Sequence, residues 1–167
     1  MDPIKMMIVD DHEVVRMGLR SAMEPEDDME VVSDVGSAGA AVREAEVSRP
    51  DVVLMDVRMP GMSGLEVVKR LRESEKHTTT PVIMITAQSA MEAQVEGLDS
   101  GANDYITKPF ESDDLHARIR SFLQSGGRAR EVVKERDELQ ETLDKLRETE
   151  AQLVHSEKMA GLGKLGA

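Results

Sequence analysis

Five short apolar runs, each separated from the next by a segment of helical spacing, constrain this chain more than any other feature. They are Met6-Met7-Ile8-Val9, Val31-Val32, Val52-Val53-Leu54-Met55, Val82-Ile83-Met84-Ile85 and the shorter Tyr105-Ile106. Runs this short, with few charges, suit strands buried on both faces, because helices cover both sides of a parallel sheet. Between them the period changes. Val14, Val15, Gly18, Leu19 and Ala22 give the first helix an apolar face; Leu65, Val68 and Leu71 do so for the third, and Leu115, Ile119, Phe122 and Leu123 for the fifth. Breakers fall at the joints: Pro50 before the third strand, Pro81 before the fourth, Gly101 after the fourth helix. Five such units predict one α/β domain over residues 1–125, built on a doubly wound, five-stranded parallel sheet.

In open sheets of this kind, ligands sit outside the carboxyl ends of the strands. The residues there are Asp10-Asp11 after the first strand, Asp56 after the third, Thr86 after the fourth and Lys108 after the fifth. Three carboxylates gathered at one edge repel each other, so one must be protonated or a cation must be bound. The oxygen-only donor set selects a hard ion such as Mg²⁺. A carboxylate beside such an ion can attack a phosphoryl group, with Lys108 adding fixed positive charge and the Thr86 hydroxyl a hydrogen bond. Each residue also has a plainer reading. Asp10 and Glu13 have capping-box spacing, Asp56 suits a turn, Thr86-Ala87 a cap, and Lys108-Pro109 an exposed loop. The coincidence of four strand ends carrying one set of groups weighs against all of these.

These motifs resemble the response-regulator receiver family. The resemblance lies in Met6-Met7-Ile8-Val9-Asp10-Asp11-His12, Leu54-Met55-Asp56-Val57-Arg58-Met59-Pro60-Gly61-Met62-Ser63-Gly64, Ile85-Thr86-Ala87 and the stretch from Gly101 to Phe110 that includes Tyr105 and Lys108-Pro109. It covers about three quarters of the chain. It implies a flavodoxin-like sheet of order 2-1-3-4-5, and Asp56 as the acceptor of phosphate from a phosphohistidine on a donor protein. It further implies Mg²⁺ held by Asp11, by Asp10 directly or through water, by Asp56 and by the Arg58 carbonyl. Thr86 and Tyr105 match the family's switch pair, and Lys108-Pro109 its lysine and cis-proline.

From Glu111 onward proline disappears. Gly126-Gly127 reads as a hinge or a helix break, since two adjacent glycines cost roughly 2 kcal/mol relative to alanine in a helix. Beyond it Val132, Leu139, Leu146 and Leu153 recur at heptad spacing, with Ala129, Arg136, Leu143 and Glu150 as the weaker a positions. Residues 126–154 therefore read as a long coiled-coil signalling helix that forms a parallel homodimer. The plainer alternative is a single solvated helix held by pairs such as Glu141 with Lys145. Residues 155–167, with Ser156-Glu157-Lys158-Met159-Ala160 and Leu162-Gly163, resemble the start of a histidine-kinase dimerisation helix. The implied parent is a histidine kinase, whose acceptor histidine and ATP-binding motifs are not in this sequence, so the chain itself is expected to lack autokinase activity. The alternative output is another enzyme, such as a cyclic-dinucleotide synthase or a phosphatase, driven through a similar coil.

Charge and composition narrow the partners. The first 125 residues hold 13 basic and 24 acidic side chains, a net of −11, which repels phosphate backbones. With only two Phe, one Tyr and no Trp, base-stacking platforms are nearly absent, so nucleic acid is not expected as a partner. No apolar run approaches the ~20 residues that span a bilayer. The lack of cysteine suits a reducing compartment. No membrane association and a cytoplasmic location follow as expectations. His12, His77 and His116 have no ligand spacing and read as surface or pocket-rim residues. His155 lies upstream of where the kinase family's acceptor sits. The 12 methionines read as core filler.

Overall fold

The structure, a computed structural model, describes residues 2–97 and 100–165, apart from the side chains of 90, 125–134 and 162–165. The strands are β1 (Ile4–Val9), β2 (Met29–Val35), β3 (Val52–Asp56), β4 (Val82–Thr86) and β5 (Asp104–Thr107). The helices are α1 (Glu13–Met23), α2 (Ala38–Ser48), α3 (Gly64–Glu73), α4 (Ala90–Glu96) and α5 (Ser112–Leu165). All strand pairs are parallel, in the order β2-β1-β3-β4-β5. The chain divides into two units, Met1–Gly126 and Gly127–Ala167.

Alternation along each strand sends side chains to two cores. Met6 and Ile8 of β1 join Leu54, Ile83, Ile85 and Ile106 on one face, covered by Leu19 and Met23 of α1 and by Leu115 and Ile119 of α5. Met7 and Val9 join Val53, Met55 and Met84 on the other, under Ala41 and Ala45 of α2 and Val67, Val68 and Leu71 of α3. Every residue of β3 and β4 is buried, which explains why those runs carry no alternation. Each large aliphatic side chain so buried contributes about 1.5–3 kcal/mol. The strand ends are thereby fixed where the sheet's carboxyl edge needs its polar groups.

Several sequence-based expectations change. Val14 is 80 % exposed and Gly18 is exposed, so α1 buries the stripe Val15, Leu19, Ala22 and Met23 instead. Val14 and Val15 lie about 100° apart on the helix, and the packing of Leu19 and Met23 selects Val15. β2 extends well beyond Val31-Val32, with a register shift that pairs Met6 with Val31 and Met7 with Ser33. His77 and His116 are buried, at 3 % and 5 % exposure, not at the surface. The His116 Nε2–H lies 2.9 Å from the Ala22 carbonyl and its Nδ1 3.3 Å from Glu26, tying α5 to α1. His77 Nδ1 meets the Thr80 hydroxyl at 3.2 Å. Met6, Met7, Met23, Met29, Met55, Met59 and Met84 do fill the cores, but Met17, Met91 and Met159 are exposed.

Arg72 of α3 holds the loops at the opposite edge of the sheet. It donates to the carbonyls of Gly101, His77 and Thr80 at 3.0, 2.8 and 2.8 Å, and to Asn103 Oδ1 at 2.8 Å. Asn103 Oδ1 also accepts the Val82 N–H, so the loop leading into β5 is pinned beside β4.

α5 includes Gly126 and Gly127, whose backbone is helical. In the second unit Leu139, Leu146 and Leu153 are 62 %, 55 % and 59 % exposed. The expected Glu141–Lys145 pair forms at 2.8 Å. Among the described residues, no helix is long and apolar enough to cross a membrane.

Candidate functional site

The carboxyl ends of β1, β3, β4 and β5 converge on a cavity of about 240 Å³ lined by His12, Asp56, Arg58, Thr86, Ala87, Gln88 and Lys108. Asp10 and Asp56 are almost entirely buried, at 1 % and 7 % exposure. The Lys108 ammonium bridges them, 3.0 Å from Asp10 Oδ2 and 3.4 Å from Asp56 Oδ1. Its backbone N–H donates to the Thr86 carbonyl at 2.7 Å, which sets the lysine at the end of the β4–β5 pair. The Lys108–Pro109 bond is cis. The structure therefore brings Asp10, Asp11, Asp56, Thr86, Arg58 and Lys108 to one edge.

The plainer reading of Asp10 does not hold. Residue His12 is the N-cap of α1 and makes no side-chain cap, so no Asp10–Glu13 box forms. Asp10 Oδ1 instead accepts the His12 N–H at 2.8 Å, and the Asp10 carbonyl accepts Arg16 Nη1 at 2.7 Å. The box that does form is Ser63 with Glu66, starting α3 just after the β3 loop.

Electrostatics distinguish the groups. Burial pushes the Asp56 carboxyl above the usual range; the Asp10 and Asp11 charges push the same way, and Lys108 opposes them. For Lys108, burial works against its charge. The hydrogen bond to Asp10 and the charges of Asp56 and Asp10 outweigh it, so its pKa is raised.

The residues fit a divalent cation. Oxygens of Asp10, Asp11 and Asp56, with a His12 ring nitrogen, lie within 4.8 Å of one another. Asp11 Oδ1 is buried and accepts no hydrogen bond, although His12 Nδ1 lies 3.0 Å away. An orphaned buried carboxylate oxygen beside two other carboxylates is the arrangement a hard cation satisfies.

Some contributors were not legible in sequence. A Cβ on Gly64 would lie 2.0 Å from the Asp56 carbonyl, so only glycine lets α3 start this close to β3. The Gly64 N–H donates to the Val57 carbonyl at 2.9 Å and fixes that approach. Gln88 donates its N–H to the Thr86 hydroxyl at 3.1 Å. His12 stands at the pocket's rim, as its reading as a surface or rim residue expects. Tyr105 does not reach this cavity. It pairs with Met84 on the neighbouring strand and lines a separate one beside α4. His155 is exposed on the second unit.

Sheet order and acid edge together define the class of phosphorylatable signalling domains, and the comparisons agree. Residues 6–120 match the response regulator receiver domain. The chain is 42 % identical over 128 residues to the uncharacterized transcriptional regulatory protein YkoG of Bacillus subtilis, covering 76 % of this chain and 54 % of YkoG. It is 34 % identical over 154 residues to YdfI of the same organism, another transcriptional regulatory protein, covering 92 % and 71 %. Among solved structures, the receiver domain of a signal transduction histidine kinase from Syntrophus aciditrophicus superposes with a TM-score of 0.65 at 30 % identity, covering 72 % of this chain and 90 % of that one. The response regulator domain of Thermotoga maritima CheB gives 0.65 at 31 %, covering 73 % and 97 %. The chain belongs to the response regulator receiver family of two-component signalling. It spans about half the length of YkoG.

Proposed function

We propose that Asp56 is the phosphoacceptor, with Mg²⁺ as cofactor held by Asp10, Asp11, Asp56 and the Arg58 carbonyl. The observation that carries this reading is the Lys108 ammonium set between Asp10 and Asp56 at the cavity. An Asp56 oxygen attacks the phosphorus of a phosphohistidine on the donor protein. The P–N bond breaks, the imidazole leaves with the electron pair, and an aspartyl phosphate remains. When bound, Mg²⁺ supplies neutralisation of the charge on the phosphoryl oxygens. Lys108 holds the ionised form of Asp56 against the cost of burial and then pairs with the phosphoryl group. The Thr86 hydroxyl, now accepting from Gln88, retains its own proton to donate to that group. Acetyl phosphate with Mg²⁺ should add one phosphoryl mass to the intact protein, and chelation with EDTA should prevent it. Incorporation that survives chelation would contradict the metal's role.

In this reading the phosphate draws Thr86 inward and Tyr105 fills the vacated space, which alters the face formed by α4, β5 and α5. The signal leaves through α5 to a parallel homodimer, and from there to an attached histidine kinase. Support comes from the exposed Leu139, Leu146 and Leu153 stripe and from Ser156-Glu157-Lys158-Met159-Ala160. Light scattering should give a dimer for the full chain at tens of micromolar, on the order expected for a short coil, and a monomer for Leu139→Lys/Leu146→Lys. A monomeric wild type would reject the coil.

The names of YkoG and YdfI favour a second output, a DNA-binding regulator. The acidic charge of residues 1–125 then requires that DNA be bound by some other part of the protein. The coding sequence after Ala167 discriminates: a His-Glu pair within a few codons means a kinase helix, a helix-turn-helix means a transcriptional regulator.

A further inference from the structure

Tyr105 is the single tyrosine of a chain that has no tryptophan. Its ring is packed at the end of α4, 8 % exposed, and its hydroxyl is buried with no hydrogen-bond partner among the described residues. A buried hydroxyl without a partner is costly, so the surrounding structure must hold the ring there for another reason. Gly97, the C-cap residue of α4, lies against it. A Cβ on Gly97 would sit 1.9 Å from Tyr105 Oη, 2.9 Å from Cζ and 3.0 Å from Leu65 Cδ2.

The backbone does not require glycine here. Gly97 has φ −100° and ψ 9°, open to any L residue. What requires glycine is space. The Gly97 N–H donates to the Ala93 carbonyl at 3.0 Å, and its own carbonyl accepts Ser100 N at 2.9 Å and Ser100 Oγ at 2.8 Å. With both sides of the residue tied down, the backbone has little freedom to retreat. Leu65 meets the site with the flexible end of its side chain and can yield; the phenol is rigid and must move as a unit. Beside it a cavity of about 310 Å³, lined by Gln94, Ala102, Asn103, Asp104 and Arg118, offers the ring a way out.

We propose that Gly97 is a positioning residue, the seat that admits the hydroxyl end of Tyr105. Any side chain at 97 expels the ring toward the neighbouring cavity. The consequence for signalling rests on the Thr86–Tyr105 switch proposed above. If phosphorylation favours the ring in this seat, filling the seat must oppose phosphorylation.

With no other strong fluorophore present, acrylamide quenching of tyrosine fluorescence in the full chain reports the ring directly. Gly97→Ala should be quenched several times more strongly than wild type while keeping its far-ultraviolet circular dichroism. Equal quenching overturns the seat. Thermal melts give a second arm: the loss caused by Gly97→Ala should disappear in a Tyr105→Ala background, whereas a role confined to ending α4 would leave it unchanged. If Gly97→Ala fails to fold, folding restored in Gly97→Ala/Tyr105→Ala supports the seat, and failure of both overturns it. Beryllofluoride affinity, read by the same tyrosine signal with Mg²⁺ present, should fall about 10-fold in Gly97→Ala. Increased quenching with unchanged affinity would establish the seat and refute the switch reading, so the two failures are distinguishable.

Discussion

Lys108→Met should destabilise the metal-free protein by about 2 kcal/mol at neutral pH, and Mg²⁺ should recover most of that loss. Methionine keeps most of the length of the side chain and removes its charge, leaving the buried Asp10 and Asp56 facing each other without a cation. Breaking a fully buried pair costs about 3–5 kcal/mol; the ammonium here is 23 % exposed, so solvent screening brings the cost below that range, to about 2 kcal/mol. The Lys108 pKa is raised in the fold, so its contribution is fully present below the ordinary lysine value of 10.5 and is lost as pH rises through the folded value. The difference between variant and wild type should therefore be constant from neutral pH to about 10, then shrink. Urea unfolding in EDTA and in Mg²⁺ measures both effects. Equal stability of the two proteins in EDTA would mean that Lys108 is not what holds the carboxylates together.

Asp56→Asn should act in the opposite direction, raising metal-free stability by on the order of 1 kcal/mol, or about 4 °C for a domain of this size. Burial raises the Asp56 pKa, so the folded state holds the proton more tightly than the unfolded chain does. The Asp56 contribution to wild-type stability therefore falls as pH rises from the unfolded carboxylate value of 3.8 through the higher folded value. Asparagine is free of that loss, so the gap should open across this window and stay level above it. Mg²⁺ should narrow it by stabilising the wild type more than the variant. A variant no more stable than wild type at pH 8 in EDTA would show that Asp56 is not strained by its surroundings.

These two opposite effects come from residues whose placement could be read from sequence. Asp10, Asp11, Asp56, Thr86 and Lys108 stand directly after apolar runs, and the end of a run in a parallel sheet fixes both the edge and the side on which a residue emerges. β3 and β4 were recognisable because both faces are buried. Other features depend on which partner a surface finds. Val14 and Val15 are equally apolar, and only the docking of Leu19 and Met23 decides between them. The burial of His77 and His116 follows from single contacts to Thr80 and Ala22, with no local pattern to announce them. Gly64 and Gly97 carry ordinary backbone angles, so their need for glycine lies in the Asp56 carbonyl and the Tyr105 ring, each brought close only by the tertiary fold.

The identity of the acceptor is open to one direct measurement. Wild-type protein and Asp56→Asn are incubated with acetyl phosphate and Mg²⁺, reduced with borohydride to convert aspartyl phosphate to homoserine, digested and mapped by mass spectrometry. Homoserine should appear at position 56 in the wild type and nowhere in the variant. Homoserine at Asp10, Asp11 or any other carboxylate, or equal phosphoryl incorporation in Asp56→Asn, would contradict the assignment of Asp56.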